Sequence, residues 1–202
     1  MRMKIWFATA LLVISTATIA LAQEMKHEMS MPPEQKAAMD AMMKAMTPGD
    51  AHKLLNTMAG SWNVKVTMWM APGAEPTVSS GTAEIKWILG NRDLEERFHG
   101  EFMGMPFIGI GYTGYDNVKK EYWGTWMDNM STGVMKMTGT TADQGKSWKF
   151  TGTNADPVTG KDQVSEERVT IADADHHAME MYGPGADGKM FKMMEIAYSR
   201  KK

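Results

Sequence analysis

Met58-Ala59-Gly60-Ser61-Trp62 is the stretch on which the fold turns. Up to Met58 the apolar residues recur with a helical period, and beyond Trp62 that period is gone. Gly60 suits a helix end because glycine takes left-handed backbone angles without penalty. Trp62 opens a series of short segments rich in aromatic and β-branched residues, near 62–70, 78–88, 92–103, 105–115, 120–127, 132–140, 146–153, 163–171, 177–183 and 190–199. Between them stand turn formers such as Pro72-Gly73, Gly90-Asn91, Asp116-Asn117, Asp143-Gln144-Gly145, Asp156-Pro157 and Asp187-Gly188. Strands that follow one another through short turns, with no helix between them, make an antiparallel meander. A sheet of that length closes on itself or doubles over to cover its edges. The expected fold is mainly β: a single antiparallel barrel of about ten strands over 48–202, behind a short N-terminal helical segment.

Working back from Gly60, a short helix over 51–58 carries Leu54, Leu55 and Met58 on one side. Thr47-Pro48-Gly49-Asp50 separates it from an earlier helix over 34–46, whose start suits Pro32-Pro33. There Met39, Met42, Met43 and Met46 fall at i, i+3, i+4 and i+7, one helical face expected to pack against the barrel. Residues 23–47 thus form a Met-rich leader and an amphipathic helix. Residues 1–22 read as a secretory signal: Arg2 and Lys4, an apolar run from Ile5 to Leu21, and the small-x-small site Ala20-Leu21-Ala22. The expected mature chain begins at Gln23, is periplasmic or secreted, and is not stably inserted in a membrane.

The whole chain has 22 basic and 24 acidic residues. Loss of Arg2 and Lys4 leaves a formal charge of −4, which gives no electrostatic reason to expect nucleic acid as a partner. There is no cysteine, so disulfides, thiolate metal sites and cysteine nucleophiles are excluded. Methionine is the outlier, at 23 residues.

The Gly60-Ser61-Trp62 motif after a short helix, with Arg200 just past the last strand, resembles the calycin superfamily of lipocalins and relatives. That resemblance implies a tryptophan closing the barrel base beneath a basic residue of the final strand. A second resemblance covers about 45–201. It rests on Pro48-Gly49 with His52 and Leu55, Gly60-Ser61-Trp62, Phe102-Met103-Gly104-Met105-Pro106-Phe107 and Gly114-Tyr115-Asp116-Asn117. Tyr122 with Trp126 and Asp128, Ser131-Thr132-Gly133, Asp156-Pro157 with Gly160-Lys161, and Met194-Glu195-Ile196 with Tyr198 and Arg200 continue it. Together these resemble the bacterial family called domain of unknown function 1579, which implies no activity. The Met-rich leader and Met190 depart from its pattern.

No Ser-His-Asp set, carboxylate pair or His-Glu-x-x-His pattern stands out, so the expectation is a non-enzymatic binding or carrier barrel. In strand 92–103, Leu94, Phe98 and Phe102 share one side against Asp93, Glu95, Arg97, His99 and Glu101. Glu195 alternates in phase with Phe191, Met193 and Ala197, which places it on an apolar face, and Arg168 is its expected partner. An ion pair of that kind is structural or serves a ligand; Tyr115, Trp126 and Trp148 are the expected walls around a small apolar or amphipathic molecule. An enzyme using Glu195 and Arg168 is a third reading. No cofactor is implied, with one exception. Met25, His27, Met29 and Met31 are soft ligands in a segment with no core, suited to copper(I) or silver(I). The plainer reading makes them a linker with lineage-wide methionine bias.

Overall fold

The computed structural model describes residues 31–157 and 159–202. The signal-like segment and three of the four leader residues named as metal ligands, Met25, His27 and Met29, lie outside them. Two units are distinguished, one ending at Thr47 and one running from Pro48 to Lys202. In the first, helix α1 spans Pro33–Met46 with proline at its first turn, where a missing N–H costs nothing. It buries none of its residues, and Met39, Met42, Met43 and Met46 are all exposed.

The second unit opens with helix α2, Asp50–Leu54, and a 3-10 turn, Leu55–Thr57. The strands follow: β1 Gly60–Met68, β2 Thr77–Ile88, β3 Asp93–Phe102, β4 Met105–Asp116, β5 Glu121–Asp128, β6 Met135–Thr140, β7 Ser147–Ala155, β8 Asp162–Ile171, β9 His176–Pro184 and β10 Met190–Arg200. Each pairs antiparallel with its sequence neighbour, and β1 pairs with β10 to close the barrel. Closure satisfies every strand edge, which is why so long a meander needs no second layer.

The closing seam matches Trp62 with Arg200 and Val64 with Tyr198. Trp62 is fully buried and its indole N–H donates to the Met58 carbonyl at 2.9 Å. The Arg200 guanidinium stacks 4.1 Å above the Trp62 ring and donates to the carbonyls of Ala59 (3.0 Å) and Ala174 (2.8 Å). Gly60 must be glycine: its φ is +145°, and a Cβ there would collide with the Arg200 guanidinium. The tryptophan, the glycine and the arginine are thus one latch. The helical turn plugs the same end. Leu55, Met58 and His52 are buried beneath the strands, and Tyr122 donates its hydroxyl to the Ala51 carbonyl at 3.0 Å.

Burial then grades along the barrel. At the latched end Trp62, Ala83, Leu94 and Trp148 are at most 2% exposed. Towards the other end the inward residues Val66, Met68, Phe107, Trp126, Met181 and Met194 stay part exposed. The barrel is packed at its base and less fully buried above it.

Candidate functional site

Alternation fixes the site. In β3 Leu94 and Phe98 are buried, so Glu96 between them also points inward. In β8 Ser165 and Val169 are buried, and Glu167 between them does the same. Both carboxyls are surrounded by protein yet keep part of their surface. Tyr198, from the inner face of β10, donates its hydroxyl to Glu96 Oε1 at 3.1 Å. Burial pushes the Glu96 carboxyl up to about 7, against a smaller downward pull from Tyr198. Burial, and after it the charge of Glu96, likewise raise Glu167 to about 7. Burial and the two acids together hold the Tyr198 hydroxyl well above its ordinary range. Among the described residues neither acid forms an ion pair. Two carboxyls that exchange protons near neutrality, beside a neutral phenol, can both donate and accept hydrogen bonds.

The wall above them is shaped by glycine. Gly109 and Gly111 lie on the inner face of β4 against the Trp126 indole; a Cβ at Gly109 would collide with the ring, and one at Gly111 would crowd it at 3.1 Å. Its N–H is held by Asp128 Oδ2 at 3.1 Å. A large ring pressed against the wall leaves the lumen free, where an upright one would fill it.

Glu96 and Glu167 face inward in place of the Glu195–Arg168 ion pair expected from sequence. Glu195 points outward and pairs with Lys192, which also reaches Glu180 at 2.9 Å. The cause is a β-bulge between Lys192 and Met194. One extra residue inverts the alternation, so a phase counted from Phe191 puts Glu195 on the wrong face. Arg168 is outward too, bonded to Glu166 at 2.6 Å and lying over the Tyr182 ring. Glu195 and Arg168 sit in one outer row with Glu180 between them, and do not meet.

Of the three expected wall residues only Trp126 borders the open lumen. Tyr115 and Trp148 pack edge-to-face on Tyr122 in the base. Glu96 and Glu167 went unassigned because charged neighbours mask them, Glu95 and Arg97 on one side, Glu166 and Arg168 on the other. The available signal was their spacing, two residues from Leu94 and Phe98 and two from Ser165 and Val169.

His52 is buried, accepts the Gly49 N–H at Nδ1 (3.1 Å), and presents its ring to the edge of Tyr115. His99 is exposed. His176 points out to Asp173 at 2.9 Å, while His177 points in and stacks on Tyr198 with ring centres 4.2 Å apart. Burial, then the nearby Arg200, holds His177 down at about 4, so it is neutral at physiological pH. Among the described residues no three His, Asp or Glu side chains gather as metal ligands. A shallow hollow of about 670 Å³ lies mainly on the outer wall around Ala178, Ala197 and Ser199, away from the two acids.

Comparison with known proteins agrees with the motifs. A family model described as "Protein of unknown function (DUF1579)" matches residues 47–200. No curated protein matches in sequence. The crystal structure of Rv2717c from M. tuberculosis is similar in fold, at 14% identity and TM-score 0.58, over 77% of this chain and all of that one. A redesigned β-barrel matches at 15% identity and TM-score 0.39, over 76% of this chain and 96% of its own.

Proposed function

This chain belongs to the DUF1579 family, and we propose that its barrel is an exported, non-enzymatic carrier for a small amphipathic molecule bearing a cationic or N–H-rich group. The observation that carries this reading is the pair Glu96 and Glu167 in the lumen, with no ion-pair partner among the described residues. An uncompensated buried carboxylate is costly. When the lumen is empty the acids offset that cost by holding protons; a ligand cation offsets it by pairing. The apolar body of the ligand lies against Trp126, Phe107 and the methionines of the open end. The signal-like sequence of 1–22 supports export.

Binding of a dansylated alkylamine, compared with a dansylated fatty acid of equal chain length, tests the reading. The amine should bind with release of protons, and Glu96→Gln with Glu167→Gln should remove its advantage. Equal binding of amine and acid, or an amine affinity unchanged in the double variant, refutes it. The Met25–Met31 segment supports a second reading, soft-metal handling by the leader, on its ligand types alone.

A further inference from the structure

Three methionines stand side by side on the inner wall. Met68 of β1 is directly opposite Met194 of β10, and Met194 is directly opposite Met181 of β9. All three share the inward phase of Val64, Ile196 and His177 on their own strands, each of which is buried. The bulge at Lys192/Met194 sets this row, since without the extra residue Met194 would face outward. Adjacent strands lie about 4.8 Å apart, so three thioethers in one row of a concave wall can converge over the middle one. Methionines used as core filler are buried. These three remain part exposed.

A second, independent observation concerns charge. The next residue in the same row, opposite Met181 on β8, is Glu167. Its carboxyl forms no ion pair among the described residues and so lies ready as a counter-charge one strand beyond the sulfurs.

We propose that Met68, Met194 and Met181 form a thioether site for a soft monovalent cation, copper(I) or silver(I), with Glu167 balancing its charge. Thioethers select copper(I) over the hard cations that carboxylates and water prefer. Each sulfur donates a lone pair and displaces whatever held the ion, and no electron is transferred. The proposal shares Glu167 and the methionine wall with the amphipathic-ligand reading; Glu96, which only that reading uses, separates the two.

The test is anaerobic titration of the full exported chain with copper(I) against bicinchoninate, with silver(I) stoichiometry by native mass spectrometry. A single ion should bind tightly. The variant M68L/M181L/M194L, which keeps side-chain volume nearly constant, should lose that binding. Glu167→Gln should weaken it about 10- to 100-fold, the range seen when a supporting carboxylate is removed. Glu96→Gln should leave it intact while impairing the alkylamine, which separates this proposal from the previous one. Replacing Met25, Met29 and Met31 by leucine should also leave it intact. If circular dichroism shows the triple variant unfolded, M181L alone decides, with a clear loss of affinity expected. No binding by the parent chain, unaltered affinity in the lumen variants, or loss on altering the leader overturns the proposal.

Discussion

The two lumen acids make stability fall as pH rises, the reverse of ordinary acid denaturation. In the unfolded chain Glu96 and Glu167 release their protons around the ordinary value of 4.5, whereas in the folded chain they keep them to about 7. Between those limits the folded state holds protons that the unfolded state has lost. Each such carboxyl therefore contributes stability that is complete below pH 4.5 and gone above about 7. The shift corresponds to roughly 3 kcal/mol per carboxyl as an upper bound. The part of their surface that both carboxyls keep reduces that figure, and mutual repulsion couples the two titrations. His177 acts in the opposite sense: its folded value is depressed to about 4 from 6.5, so its contribution is lost as pH falls from 6.5 towards 4. A comparison at matched pH removes the histidine. Urea denaturation of the parent chain and of Glu96→Gln/Glu167→Gln, from pH 4.5 to 8, should show the double variant gaining on the parent by about 2–5 kcal/mol as pH rises. A constant difference across that range would show that the two carboxyls are ionised and solvated in the folded chain.

Two further outcomes follow from the packing. Trp62→Ala removes a fully buried ring together with the platform under Arg200, and should cost about 3–5 kcal/mol in chemical denaturation; a loss below about 1 kcal/mol would refute the latch. Gly109→Val inserts side-chain atoms where the Trp126 ring lies, so it should shift indole fluorescence and reduce alkylamine binding, whereas an unchanged spectrum would show that the ring is free to move.

The β-strands were legible because period-two alternation and turn chemistry are local properties. Trp148 and Phe150 alternate with Ser147, Lys149 and Thr151, and β7 buries the first two while it leaves Lys149 and Thr151 outside. The latch was legible through the resemblance of Gly60-Ser61-Trp62 and Arg200 to the calycin pattern, whose residues sit at the two ends of the strand series. The site was not. Its acids lie on different strands, and nothing in the chain order joins Glu96 to Tyr198 across 102 residues. A bulge, too, has no strong local signature in Lys192-Met193-Met194, yet one inserted residue reverses which charges face in. Helix α1 illustrates a different limit: a methionine face at helical spacing records amphipathicity and does not name what lies against it.

The Arg200 latch also bears on the order of synthesis. Its contacts with Ala59 and the Trp62 ring tie the last strand to the start of the first, across 141 positions for the Ala59 bond. Until β10 emerges, β1 has one neighbour and a bare edge of hydrogen-bonding groups, and no partly made barrel can hide it. Folding therefore waits on the C-terminus, and a chain cut short before Arg200 should associate edge to edge with others like itself.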